Sequence, residues 1–450
     1  MFRNRHGNYE FLTQAPIPRV IGTMALPTMV SMLVTSLYNI VDTFFVGQLD
    51  TQSTAAVGVV FSLMYFMQAF GFFFGHGSGN YISRELGARR RGNAERMAAT
   101  GFAYSMGMGV LIMLAGWALL EPLSVWLGST PTILPYTKRY LAIILLGAPF
   151  LTSSLTLNNQ MRLQGNAANA MYGIVAGAVL NVVLDPLLIF GLGLGISGAA
   201  MATVAGQVVS FAILFYMSRQ GENIAIQLRL FTPTWGFVRE IFYGGSPSLS
   251  RQGLACASTM LMNVAAGAWG DAAIAGMTIV NRITMLAYSA LVGFGQGFQP
   301  LCGFCYGAGL YGRVRRAFWF CVKVGTVFMT ACAVVGILCA PMLIALFRDD
   351  AAVVRVGTDA LRYQLMAWPL GALLTLSNML LQTCRKPWRA NTLAAARQGL
   401  FFIPLILVLP AWWGLRGVEM CQAVSDALAF CVTVPVLYTM FRELRAGERK

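Results

Sequence analysis

Long apolar runs separated by short polar intervals dominate the chain. A helix needs about 20 apolar residues to cross a hydrocarbon core roughly 30 Å thick. Runs of that length recur twelve times, at about 17–46, 54–82, 97–120, 133–156, 166–190, 196–218, 238–266, 272–300, 316–340, 356–382, 392–413 and 417–441. The pattern predicts an all-α polytopic membrane protein with twelve transmembrane helices. Met1 to Arg19 is polar, and the first apolar run is full length rather than a short h-region. No cleaved signal peptide is therefore expected, and the first helix should be retained. Composition agrees: of 450 residues, 57% are hydrophobic and 11% charged, and the mean hydropathy of +0.64 lies far outside the range of soluble domains.

Lys and Arg are retained in cytoplasmic loops, so their positions predict orientation. With the amino terminus inside, Arg3, Arg5, Arg19, Arg84, Arg89, Arg90, Arg91, Arg96, Arg162, Arg219, Arg229 and Arg239 fall on the cytoplasmic side in the first half. Arg313, Arg315, Arg316, Lys323, Arg385, Lys386, Arg389, Arg397, Arg442, Arg445, Arg449 and Lys450 do so in the second. Those are 24 of the 32 basic residues. Six lie outside (Lys138, Arg139, Arg348, Arg355, Arg362, Arg416), and Arg251 and Arg282 lie within spans. Both termini are expected in the cytoplasm and the protein in the plasma (inner) membrane. The formal charge of +15 is then a topology signal rather than a nucleic-acid footprint.

The two halves match at a nearly constant offset. Pro27 pairs with Pro247, Leu86–Ala88 with Tyr306–Ala308, Pro122 with Pro341, Pro149 with Pro369, Asn159 with Asn378 and Gly198 with Gly417, at 219 or 220 residues each. Six spans per half is an even number, so the repeats run the same way through the membrane and are related by an axis along its normal. Two pseudo-symmetric six-helix bundles are expected, residues 1–218 and 235–450, joined by a cytoplasmic linker at 219–234. Such duplication is typical of secondary transporters that rock one bundle against the other around a shared cavity.

Ionisable groups inside a span are costly and are functional candidates by default. In the first half, two carboxylates lie clearly within spans, Asp42 and Asp185. Asp42 is five residues before Gly47, Asp185 six before Gly191 and Thr203 five after Gly198, so at 1.5 Å per residue all three sit about 7–9 Å below the same outer surface. Asn181 lies one turn deeper on the face of Asp185, and Asn39 one turn from Asp42. Pro27 and Pro186 lack the N–H that would bond the carbonyls of Thr23 and Val182, which marks them as hinges. Two carboxylates, amides, a hydroxyl and a loosened carbonyl at one depth suit Na⁺, or a proton held between acids in low dielectric. The plainer alternative has Asn181 and Asp185 capping a kinked helix while Asp42 reaches the outer interface.

Four stretches carry a resemblance: "YNIVDTFFVGQL" at Tyr38–Leu49, "GSGNYISRELGAR" at Gly77–Arg89, "RLQGNA" at Arg162–Ala167 and "NVVLDPLLIFGLGLGISGAAMAT" at Asn181–Thr203. Together with the duplication, the chain resembles the multidrug and toxic compound extrusion (MATE) family along essentially its whole length. The resemblance implies a cation site formed by Asp42 on the first helix, Asn181 and Asp185 on the fifth and Thr203 on the sixth. Some members also use a Glu on the seventh helix and an Asp on the tenth, whereas this chain has Arg251–Gln252 and no acid there. At the repeat offset Asp42 falls on Met262, Asp185 on Pro404 and Thr203 on Gln422, so no second cation site is expected.

Other patterns carry less. "GLGISG" at Gly193–Gly198 has dinucleotide-fingerprint spacing but lies in an outer hairpin with no strand before it. "CGFC" at Cys302–Cys305 has metal or redox spacing but nothing nearby completes four ligands, and most of the nine cysteines read as packing residues. His76 reads as a packed or inward-facing polar residue, with a proton relay as the alternative. Glu419 and Asp426 are seven apart on one face of the last helix, with Glu419 near enough to the outer end to be solvated and Asp426 a possible accessory group. Arg251 and Arg282 stand as groups to balance Asp426 or touch an anionic substrate. The sequence thus points to a monomeric, lipid-embedded antiporter that exports small organic, often cationic or amphipathic, molecules in exchange for Na⁺ or H⁺ and needs no cofactor. A lipid-linked precursor flippase of the same superfold is the alternative. A membrane enzyme would need a catalytic cluster such as H-E-x-x-H, which the sequence lacks.

Overall fold

The computed structural model describes residues 8–448; Arg3, Arg5, Arg449 and Lys450 of the charge pattern lie outside the described residues. A short helix α1 (Asn8–Gln14) precedes the first bundle, formed by α2 (Ile17–Gly47), α3 (Thr51–Gly87), α4 (Arg91–Ala118), α5 (Leu120–Trp126), α6 (Leu134–Leu146), α7 (Ala148–Leu163), α8 (Ala167–Pro186) and α9 (Ile196–Met217). The second comprises α10 (Trp235–Gly267), α11 (Asp271–Gly307), α12 (Tyr311–Phe347), α13 (Ala351–Met366), α14 (Trp368–Thr383), α15 (Pro387–Ala395), α16 (Phe402–Trp413) and α17 (Leu415–Glu448). Among the described residues, counting each bent pair as one span, 11 are long and apolar enough to cross a membrane. The twelfth is α10, 33 residues long, whose polar groups are matched by protein: Ser248 bonds the other bundle, Arg251 and Gln252 line the cavity between the two, and Ser246 accepts from Asn391 of its own bundle.

Spans four and ten are each broken. α6 meets α7 at 46° and α13 meets α14 at 56°, because Pro149 and Pro369 stand in the first turn of the second helix of each pair, where a missing N–H costs nothing but the preceding helix cannot continue through it. The same hydrogen bond closes both copies of the repeat. Asn158 Nδ2 donates to Ala170 O at 2.8 Å and Asn378 Nδ2 to Ala390 O at 2.7 Å. The partner of Asn378 is therefore Asn158, not the Asn159 that sequence alignment selects. Left-handed turns also recur, at Arg89 (φ 58°) and Gly309 (φ 74°), and at Gly165 (φ 89°) and Arg385 (φ 59°). Each pair is 220 apart, with glycine at the strained position in one half and arginine in the other.

Helix α1 and the end of α17 lie on one face. Arg313 Nε at the start of α12 donates to Leu12 O at 3.2 Å, and the Tyr311 ring packs against Gly447. On this terminal face the two bundles are tightly joined. A Cβ on Gly77 would stand 2.3 Å from Ile241 O, so α3 and α10 approach backbone to backbone. Around this contact Glu240 pairs with Arg84 at 3.1 Å and Arg385 at 2.5 Å. Arg84 also donates to Thr383 O at 2.8 Å. Ser248 bonds His76 Nδ1 at 2.9 Å.

Arg162, which its sequence position places with the loop cations, is 1% exposed. It donates across the bundle interface to Gln296 O at 2.6 Å and Gln299 Oε1 at 3.0 Å, and within its own bundle to Asn159 Oδ1 at 2.6 Å. Nearer the middle, Ser36 and Ser289 bond across the interface at 2.6 Å. A cavity of about 340 Å³ lies between the bundles at this level.

Candidate functional site

The fifth span does not end as an ordinary α-helix. After Pro186 it loosens into a π-turn over Leu187–Gly191, with Leu192 N bonding Leu187 O at 2.9 Å, a widening of the kind found where a proline interrupts the helical ladder. One turn before it, Asn181 and Asp185 point inward from α8, and Thr203 faces them from α9. The four residues that depth and resemblance select are all buried: Asp42 5% exposed, Asn181 2%, Asp185 0% and Thr203 4%.

The side chains of Asp42 and Asp185 are near neighbours, although their helices are distant in sequence. In the amide orientation that satisfies its neighbours, Asn181 Nδ2 donates to Asp185 Oδ2 at 3.3 Å and Oδ1 accepts from Thr203 N at 3.2 Å. Asp42 Oδ1 and Asp185 Oδ1 are left buried without a hydrogen-bond partner. Two acid oxygens so placed fit a hard cation or a shared proton. Two further groups escaped the sequence reading: Tyr38 on α2 and Tyr140 on α6 lie in the neighbourhood of both carboxylates. Tyr140 is fully buried and lies about six residues into its helix, the same depth as the acids; its residue type gave no signal.

Asn181 and Thr203 line the interbundle cavity, whereas Asp42 and Asp185 lie behind them. The cation site therefore touches the cavity through an amide and a hydroxyl. Asn39 also lines the cavity, but its amide turns back to Thr35 O at 2.9 Å. Pro27 lies within α2, with Ser31 Oγ donating to the Pro27 carbonyl at 3.0 Å.

In the second bundle the structure corrects several expectations. Asp426 is not balanced by Arg251 or Arg282. Its partner is Arg397, which belongs to a π-turn inside span eleven, Ala396–Leu400, and not to a cytoplasmic loop. The pair is bidentate, Nε to Oδ1 at 2.7 Å and Nη2 to Oδ2 at 3.2 Å. Gln422 donates to Oδ1 at 2.8 Å, and the Tyr288 ring lies 4.4 Å from the guanidinium. Glu419, expected to be solvated, is 5% exposed, because the last helix packs over its outer turns against α13 and α16. Arg251 instead donates to Asn378 Oδ1 at 3.1 Å and lines the cavity. Arg282 lines a smaller neighbouring pocket with Asn39 and Tyr65. His76, 2% exposed, is bound between Ser248 and Arg162, the latter at 3.3 Å. Cys302 and Cys305 are buried and unlinked. Among the described residues no group of three or more His, Cys, Asp or Glu gathers as a metal centre.

Two parallel six-helix repeats around a shared cavity, with a buried carboxylate pair beside it, define a membrane transporter rather than an enzyme. The chain belongs to the MATE family, whose MatE profile matches it twice, over residues 27–187 and 247–408. It is 27% identical over 418 residues to the multidrug export protein MepA of Staphylococcus saprophyticus, covering 92% of each chain. It is 26% identical over 434 residues to MepA of Staphylococcus aureus strain NCTC 8325, covering 96% of this chain and 95% of that one. The crystal structure of a MATE protein in complex with MaD3S superimposes with a TM-score of 0.91 at 26% identity, over 99% of this chain and 100% of the other.

Proposed function

We propose that the protein exports amphipathic organic compounds in exchange for an entering cation, by alternating access, as a monomer in the plasma membrane with its terminal face in the cytoplasm. The observation that carries this reading is the burial of Asp42 and Asp185 as near neighbours beside Asn181 and Thr203, which line the cavity. Two neighbouring carboxylates in a low-dielectric site cannot both stay ionised without a cation between them. The group that fills the site therefore decides whether the first and fifth spans draw together or repel. A ligand shifts a conformational equilibrium only by binding one state better, and a cation bridging two helices does so.

The proton is the ion that two neighbouring buried acids suit best, since one protonated carboxyl neutralises half of the pair without a further ligand. Na⁺ is the second reading, favoured by the unpartnered carboxylate oxygens and by the Thr203 hydroxyl on the neighbouring helix. A flippase has less support, because among the described residues lining the cavity Arg251 is the single cation, too little for a pyrophosphate. One charge falling through 100 mV releases about 2.3 kcal/mol, enough for roughly fiftyfold concentration of a neutral solute. Proteoliposomes given either a pH or an Na⁺ gradient test the assignment: efflux driven by the pH gradient alone supports the proton, and efflux that follows Na⁺ at constant pH overturns it in favour of sodium.

A further inference from the structure

We propose that the central cavity selects amphipathic compounds bearing a carboxylate or similar anionic group, and that Arg251 is the residue that recognises it; this names a substrate class for the exporter proposed above and rests on that reading. Arg251 stands halfway along the 33 residues of α10, so its guanidinium is held at mid-membrane depth, where an unmatched charge is expensive. Its hydrogen-bond partner is a neutral amide oxygen, Asn378 Oδ1 at 3.1 Å. Among the described residues lining the cavity there is no Asp or Glu, and the polar wall is made of amides and hydroxyls such as Asn158, Gln252 and Gln296.

The adjoining pocket of about 190 Å³, lined by Arg282, likewise has no Asp or Glu among its described lining residues. The acids of this region, Asp42 and Asp185, are screened from the cavity by Asn181 and Thr203, and Asp426 is already neutralised by Arg397. A cationic substrate would thus meet like charge with no carboxylate to answer it. A carboxylate would meet a planar donor fork suited to bidentate binding in low dielectric. Met32, Phe72, Tyr65, Met285 and Tyr288 supply the apolar surface for the rest of such a molecule, and a volume of about 340 Å³ fits one of drug size.

The test is equilibrium fluorescence binding to the full-length protein in nanodiscs of uncharged lipid, with no ion gradient, using N-dansyl-leucine, its methyl ester and the cation dansylcadaverine. The acid should bind at least tenfold more tightly than the ester, and the amine most weakly. Arg251→Gln should remove the preference for the acid while leaving ester affinity within about twofold, and Arg251→Lys should restore part of it. Equal affinity for the three probes, tightest binding of the amine, or an unchanged preference in Arg251→Gln overturns the proposal. Should Arg251→Gln fail to fold, the ranking of the three probes on the wild-type protein decides. Because no gradient is imposed, failure here leaves cation-driven export standing, and loss of coupling would leave this binding preference standing.

Discussion

Asp42 and Asp185 are acids on separate helices whose side chains are near neighbours in a buried site, so each should be necessary for coupling without being necessary for folding. Asp42→Asn and Asp185→Asn are expected to insert normally and to bind substrate, while gradient-driven efflux falls to the level of empty liposomes. Full uphill efflux by the double mutant would remove the site from the mechanism. Asn181→Ala and Thr203→Ala should shift the pH optimum of transport if the proton is the coupling ion, and raise the half-saturating Na⁺ concentration if sodium is. The Arg397–Asp426 pair behaves differently, because its charges are already matched. Breaking one member of a buried pair strands the other at a cost of about 3–5 kcal/mol, whereas replacing both by apolar groups can be neutral. Asp426→Asn should therefore lower the melting temperature in detergent, Arg397→Met with Asp426→Leu should recover most of it, and the ion stoichiometry of the recovered protein should equal that of the wild type.

At the scale of the element, the two bundles are built alike but tuned apart. Gly177 on α8 and Gly206 on α9 pack backbone to backbone, a Cβ on either falling 2.6–2.7 Å from the other's carbonyl oxygen. The counterpart of Gly177 is Arg397, 220 residues on, and that of Gly206, at the 219-residue offset of Gly198 and Gly417 on the same helix, is Ser425, whose hydroxyl donates to Arg397 O. The first bundle closes its fifth and sixth spans with two glycines, and the second puts an arginine and a serine in the same place, with Asp426 one residue further on. The π-turns differ too, lying beyond Pro186 at the outer end of span five but in the middle of span eleven. Pro27 and Pro186 each remove one backbone hydrogen bond from a helix that carries a site carboxylate, so bending there is cheap. Pro27→Ala and Pro186→Ala are expected to slow exchange severalfold in stopped-flow transport while leaving equilibrium substrate binding within about twofold. Wild-type turnover in both would show that neither proline acts as a hinge.

At the scale of the molecule, the bundles are locked together on the terminal face and the cavity lies beyond that lock. The lock depends on approaches too close for a side chain. Alanine at Gly77 would put a methyl group 2.3 Å from Ile241 O, and overpacking of this kind costs about 1–3 kcal/mol. Gly77→Ala should move the population toward the state open on the terminal face by about tenfold or more, read as faster labelling of a cysteine introduced at Ser248. The reverse bias comes from joining Ser36 and Ser289, whose hydroxyls are 2.6 Å apart. The Ser36→Cys, Ser289→Cys protein should lose turnover on oxidation and regain it with reductant. Orientation is checked by reporter fusions, with both ends expected in the cytoplasm.

The twelve apolar runs, the 220-residue repeat and the buried acids Asp42 and Asp185 were legible in the sequence, because hydropathy and repeat spacing are properties of the chain itself and a carboxylate in a membrane span announces its cost. Depth counted along each helix was enough to bring Asp42, Asp185 and Thr203 to one level, since the rise per residue is fixed. Rotation about each helix axis and the choice of neighbour are not fixed in that way; packing sets them. Arg162 and Arg397 read as loop cations because they stand near polar breaks, and only the packed bundles show Arg162 bridging the terminal lock and Arg397 bonded to Asp426. Tyr38 and Tyr140 carry no charge to betray them, so their place beside the acids is decided by tertiary structure. The same holds for the cavity: which of 32 basic residues faces it depends on how ten or more helices turn toward one another, and that packing sets Arg251 among its amides with the carboxylates behind the wall.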